Sequence, residues 1–312
     1  MGGNVFGDKT TSIKKEWIEP TLKAYFNELS AIFPNKKHIF NLENFTLLGS
    51  AGKKSISGDI DLGIDLSKIF DESVSDESIV EWNIDPIAVV KETELLQKRA
   101  KTATPEQSRK KAFFKLITKY INDHANHIYC DEKKVSEGNI FSLFPQYDEH
   151  NVVQDSAVQI DWMVGNLDWL KFSYYSTVYP KDSNIKGLCR TQLILSMFQS
   201  VGLSFNHVNG VKDKETGEIL ASNSSDAINL LNHKLNLNLT EEITQNYYSL
   251  YEQVNQCNRR DTILNTFLRI LDSTRVGVPD NLREEWRQRK ESLNLTGKFL
   301  PENDPMREFL AE

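Results

Sequence analysis

Cysteine is scarce in this chain: Cys130, Cys189 and Cys257 are the only three in 312 residues. They are odd in number and far apart, which argues against a disulfide frame and for a reducing compartment. No two of them have zinc-ligand spacing. Long apolar runs are missing as well. No stretch of about 18 apolar residues occurs, so no membrane-spanning helix is expected. The first residues, Met-Gly-Gly-Asn-Val-Phe-Gly-Asp-Lys, lack the apolar core of a signal peptide. Phe6 also stands where a myristoylation pattern requires Ser or Thr. Together these absences lead to the expectation of a cytoplasmic protein. No Gly-x-Ser-x-Gly is present, so a serine-nucleophile scheme has no support. Positive charge is in deficit, with 37 Lys and Arg against 44 Asp and Glu and a formal net charge of −7. A polyanionic partner would have to meet a local basic patch, because the whole molecule does not attract it.

What is present fits a globular protein. Hydrophobic residues make up 39% and charged residues 26%, and 312 residues suffice for two domains. Residues 12 to 33 carry Trp17, Ile18, Leu22, Tyr25, Phe26, Leu29 and Ile32 at helical spacing. Pro20 lies inside that pattern, so the helix is expected to start near it. Residues 86 to 123 read as one or two helices. Residues 126 to 178 read as strands and turns, with strands at Ile140 to Phe144 and Ala157 to Val164. From about 185 the period is helical, over 188–201, 225–235, 241–254, 262–271 and 281–293. The expected boundary is at about 182, dividing a domain of residues 1–182 from an all-helical domain of residues 183–312.

The chemistry concentrates in residues 45 to 66, Phe-Thr-Leu-Leu-Gly-Ser-Ala-Gly-Lys-Lys-Ser-Ile-Ser-Gly-Asp-Ile-Asp-Leu-Gly-Ile-Asp-Leu. Two apolar strands flank a loop of Gly, Ser and Lys. The second strand alternates: Asp59, Asp61, Gly63 and Asp65 on one face, and Ile60, Leu62, Ile64 and Leu66 on the other. Asp59 and Asp61 then lie roughly 7 Å apart along the strand. Carboxylates that close repel unless a cation sits between them. A third acid, Asp161, sits mid-strand in Val158-Gln159-Ile160-Asp161-Trp162, where an unpaired charge is costly to bury. Gln159 and Met163 share its face. Asp59 and Asp61 follow Ser50 by nine and eleven residues, and the Gly49-Ser50 turn can present backbone N–H groups and a hydroxyl to an anion. These are the parts of two-metal phosphoryl chemistry, with Mg2+ or Mn2+ suited to oxygen-only ligands and Asp161 also able to accept a proton. A P-loop is excluded, because position 47 is Leu where a Gly is needed and the loop leads into a strand.

Gly49-Ser50, then Gly58-Asp59-Ile60-Asp61-Leu62, then Val158-Gln159-Ile160-Asp161 resembles the nucleotidyltransferase superfamily. That superfamily includes DNA polymerase beta, poly(A) polymerases and the CCA-adding enzymes. The likeness covers roughly residues 15 to 178. It implies an α+β fold, with a mixed sheet carrying helices on one side, followed by a helical C-terminal domain. It also implies two Mg2+ ions and transfer of a nucleoside monophosphate from an NTP, ATP being favoured, with release of pyrophosphate. Gly49 and Ser50 carry over as triphosphate contacts, and Asp59, Asp61 and Asp161 as metal ligands. The helical insertion at 86–123 departs from the pattern and leaves the acceptor open. An RNA or DNA 3′ end leads. A small-molecule or protein hydroxyl is the alternative, as is a non-catalytic nucleic-acid-binding module on the same fold.

Other positions are read on their own surroundings. Lys53, Lys54, Ser55 and Ser57 lie in the phosphate loop, with Lys53 and Ser57 the expected nucleotide contacts. Lys186 and Arg190 are four apart on a helix and share a face; relatives place basic residues there against the triphosphate. Between 98 and 119 stand eight basic residues (Lys98, Arg99, Lys101, Arg109, Lys110, Lys111, Lys115, Lys119) and one acidic residue, Glu106. That segment reads either as a solvated helix face or as a nucleic-acid surface. Asp65 is expected to be a solvated strand end, outside the metal site. The aromatic run Trp169, Phe172, Tyr174, Tyr175 and Tyr179 is expected to pack in a core rather than stack on bases. His124 and His127 are expected to be solvated.

Overall fold

The computed structural model describes residues 5–70, 74–99, 104–136, 138–177, 179, 187–274, 276–300, 304 and 306–307. The fold is α+β. The chain divides into two compact units, Met1–Leu170 and Lys171–Glu312.

The N-terminal unit holds strands β1 (Ile13–Lys14), β2 (Phe45–Leu47), β3 (Ile56–Ser57), β4 (Asp59–Asp65), β5 (Tyr129–Cys130), β6 (Asn139–Tyr147) and β7 (Val153–Gly165). Its helices are α1 (Lys15–Ile32), α2 (Leu66–Ile69), α3 (Asp76–Val80), α4 (Pro86–Arg99) and α5 (Pro105–His124); α6 (Leu167–Ser173) leads out of it. Five strands form one sheet in the order β2-β4-β7-β6-β5. It is mixed: β4 and β7 run parallel, and the other neighbours are antiparallel. A parallel pair needs a long crossover, here supplied by α2 to α5 and the β5–β6 hairpin. β1 and β3 form a separate two-stranded ribbon.

Strand alternation sorts the two faces of the sheet. Ile60, Leu62, Ile64, Ile160, Trp162 and Val164 enter one buried cluster with side chains from α1 and α5. Phe26 stacks on Phe45, with ring centroids 4.6 Å apart. Trp162 Nε1 donates to Tyr25 Oη at 2.9 Å, and Tyr25 Oη lies 2.9 Å from Ser142 Oγ. Burying each large apolar side chain contributes about 1.5–3 kcal/mol, so this face anchors the strands. The opposite face carries the acids.

Helix α1 begins at Lys15 and runs through Pro20 instead of starting near it. A proline in the second turn removes one N–H that would bond four residues back, and the apolar stripe of this helix outweighs that loss. The 86–123 stretch is two helices. The second has a capping box: Thr104 Oγ1 accepts from Gln107 N, and Gln107 Oε1 accepts from Thr104 N.

The C-terminal unit holds α7 (Gly187–Ser200), α8 (Ser224–Leu235), α9 (Glu241–Gln245), α10 (Tyr247–Asn255), α11 (Arg260–Asp272) and α12 (Arg283–Leu293). It is not all-helical, which corrects the expectation. Strands β8 (Leu203–Asn206), β9 (Gly210–Asp213) and β10 (Ile219–Ala221) form an antiparallel sheet. The signal was Asn209-Gly210, a hairpin dipeptide between two short alternating runs. Gly210 has φ +94°, and a Cβ there would lie 2.1 Å from the Ala221 carbonyl oxygen. Only glycine lets β9 and β10 approach so closely. Trp169 and Phe172 are buried on α6, in keeping with core packing. Among the described residues, no helix is long and apolar enough to cross a membrane.

Candidate metal centre

The site is built by strand register. β4 pairs with β7 so that Asp61 stands opposite Asp161 and Asp59 opposite Gln159. All four side chains then leave the sheet on the same face, because side chains at paired positions of neighbouring strands point the same way. Asp59, Asp61 and Asp161 can each offer one carboxylate oxygen such that all three lie within 4.8 Å of one another. A slip of one residue would turn Asp161 into the apolar core.

β2 completes the site from the other side. It pairs antiparallel with β4, and its extension continues the ladder: Leu48 N donates to Asp61 O at 2.9 Å. The chain then turns at Gly49, φ +59°, where a Cβ would sit 2.5 Å from Asp61 Oδ2. Glycine is required twice over, by the left-handed backbone and by the carboxylate against it. The following turn is closed on Ser50, whose carbonyl accepts from Lys53 N at 3.1 Å and Lys54 N at 3.3 Å. Ser57 Oγ also donates to Ser50 O, at 3.2 Å. Ser57 is buried, and its hydroxyl proton serves the loop. Lys53 lies exposed on that loop.

Electrostatics set these acids apart. The Asp61 carboxyl is pushed up to about 7, first by burial and then by the Asp59 charge. Asp161 is held well above the usual carboxylate range, by burial and by Asp61; a hydrogen bond from Gln159 opposes the rise. Gln159 Nε2 donates to Asp161 Oδ2 at 2.8 Å. Asp161 Oδ1 is buried and has no hydrogen-bond partner. A buried carboxylate oxygen left without a partner costs free energy. A divalent cation held by these carboxylates would remove both that cost and their mutual repulsion. The triad therefore fits a metal ion, by its oxygen-only ligand set and by its orphaned oxygen.

No protein-family model matches this chain, and no curated protein does. The site is read from its own chemistry.

The remaining expected residues separate clearly. Asp65 lies outside the cluster but does more than meet solvent: it caps α2, with Oδ1 accepting from Ser67 N at 3.0 Å and from Ser67 Oγ at 2.6 Å. Lys186 lies outside the described residues. Arg190 is buried in the C-terminal unit, where Nε donates to Thr244 O and Nη1 to Phe172 O. Burial lowers its pKa to about 9. Two of its donor nitrogens thus join α7 to α6 and α9. Of the basic segment, Arg109 pairs with Asp76, Lys110 with Glu106, Lys115 with Glu92 and Lys119 with Asp123. Lys101 lies outside the described residues. His124 Nδ1 lies 2.9 Å from Tyr120 O, and His127 Nδ1 3.1 Å from Glu28 Oε2, so each histidine has a partner of its own.

Gln159 was the site residue that composition did not reveal. Alternation placed it on the acid face, but an amide carries no charge to draw attention.

Proposed function

We propose that the chain is a nucleotidyltransferase that transfers a nucleoside monophosphate from an NTP, ATP favoured, to a hydroxyl, releasing pyrophosphate. The observation that carries this reading is the buried Asp59/Asp61/Asp161 cluster, with its unpartnered Asp161 oxygen, backed by the Gly49-Ser50 turn. The likeness of these segments to the superfamily of DNA polymerase beta supports it. Asp59, Asp61 and Asp161 would hold Mg2+ or Mn2+, which when bound neutralises triphosphate charge and acidifies an attacking hydroxyl. Gly49 lets the backbone turn against Asp61, which puts the Ser50 turn beside the cluster for phosphate oxygens to meet. Asp59 and Asp161 are buried, which keeps water from the carboxylates and strengthens their field.

The leading acceptor is an RNA or DNA 3′ end. The competing acceptor, a small-molecule or protein hydroxyl, draws support from the basic segment, where four of the eight basic residues are already paired to acids. Incubating the protein with each labelled NTP, Mg2+ and total RNA separates the two. Label on RNA supports the first acceptor, and label on protein supports the second. Asp59→Ala combined with Asp61→Ala is expected to abolish transfer, because no ligand pair is left on β4 to hold the ion. Wild-type turnover in that double variant would sink the assignment.

A further inference from the structure

Gln159 is buried on the acid face of β7, two residues before Asp161. Its amide is held at both ends. Nε2 donates to Asp161 Oδ2 at 2.8 Å, and Oε1 accepts from the backbone N–H of Val5 at 2.9 Å. The Val5 contact fixes which way the amide faces. A main-chain N–H only donates, so it must meet the amide oxygen, and the NH2 must then turn toward the carboxylate. With Oδ2 so occupied, Oδ1 is the Asp161 oxygen left without a partner.

The segment that carries Val5 is itself anchored along the sheet. Thr11 N donates to Ala157 O at 2.9 Å, and Gln146 Nε2 donates to Thr11 Oγ1 at 2.9 Å. Lys134 Nζ donates to Val5 O at 3.3 Å, and the Phe6 ring lies edge-on to Tyr129, centroids 6.0 Å apart. The N-terminal strap thus runs over β5, β6 and β7, and it delivers one backbone N–H to the site.

We propose that Gln159 is a positioning residue for the metal centre, orienting Asp161 so that Oδ1 faces the cation, and that the N-terminal strap locks it through the Val5 N–H. This rests on the metal-centre reading above. Groups that orient metal ligands typically change metal affinity by 10–100-fold when removed.

The test is Mn2+ binding to the full chain, followed by loss of the free-ion electron paramagnetic resonance signal. Gln159→Leu removes the donor at nearly constant volume and is expected to weaken Mn2+ about tenfold or more, with stoichiometry unchanged. Val5→Pro removes the strap's N–H, along with the backbone freedom of that residue, and is expected to weaken Mn2+ about fivefold. Val5→Ala keeps the N–H and is expected to bind like wild type. Thermal melts show whether each variant is folded; if Gln159→Leu does not fold, the Val5 pair decides. Wild-type Mn2+ affinity in folded Gln159→Leu overturns the role of Gln159. Equal affinity of Val5→Pro and Val5→Ala overturns the lock. Absence of Mn2+ binding by the wild-type chain, or binding undiminished in Asp59→Ala with Asp61→Ala, overturns the metal centre itself and this proposal with it.

Discussion

Asp59, Asp61 and Asp161 repel one another, and burial adds to the cost of each charge. The fold therefore prefers Asp61 and Asp161 protonated, and its stability depends on pH. The Asp61 carboxyl lies near 7 in the fold against an ordinary value of 3.8. Between those values the folded state binds more protons than the unfolded state, so the stability it contributes is full below about 4 and is lost as pH rises to about 7. A cation reverses the preference, because it binds the ionised form. The metal-free protein is expected to melt about 5 °C or more higher at pH 5 than at pH 8. Saturating Mg2+ is expected to raise the melting temperature at pH 8 far more than at pH 5. Differential scanning fluorimetry at both pH values checks this; an equal Mg2+ effect at the two would contradict the cluster's role. At the same scale, one residue type serves two ends. Asp61 is set against Gly49 in the cluster, while Asp65, four residues on, caps a helix.

At the scale of elements, β7 and α1 share the work. Trp162 on β7 donates to Tyr25 on α1, and Tyr25 also meets Ser142 on β6. Tyr25→Phe leaves the buried Trp162 N–H without an acceptor, which costs about 1–3 kcal/mol. Urea unfolding is expected to show that loss in the midpoint with little change in slope. A neutral result would mean that a water replaces the hydroxyl. Much of this was legible in the residues. The helical stripe of α1, the alternation of β4 and the lone acid of β7 each announce their element, because burial on one face leaves a period. The register of β4 on β7 was not legible. Nothing in either strand alone says that Asp61 meets Asp161; that pairing is a property of the whole sheet. The strands β8 to β10 were missed because each is three or four residues long, too short for periodicity to register against the helices around them. The capping role of Asp65 was missed because its hydrogen bonds are made by the backbone of the next element.

At the scale of the whole molecule, the charge balance bears on the proposed acceptor. The chain is net negative, and four of the eight basic residues of its most basic segment are paired with acids, one inside the segment and three outside it. Lys98, Arg99 and Lys111 carry no acidic partner among the described residues, and all three are exposed. If a polynucleotide acceptor runs along this segment, these are cations of the segment left open to its phosphates. Lys98→Glu with Lys111→Glu is then expected to weaken RNA binding across sequences and to reduce the salt slope by roughly 1.5–2. An unchanged slope would place the acceptor elsewhere and favour a small or protein hydroxyl.

The pairing of Asp61 with Asp161 joins positions a hundred residues apart. Closing so long a loop costs chain entropy that only the completed sheet and its helical cover repay. A nascent, clipped or half-assembled chain thus carries two acids at most on one strand, and no third. The cluster exists only in the finished fold, so any cation it holds must wait on folding itself.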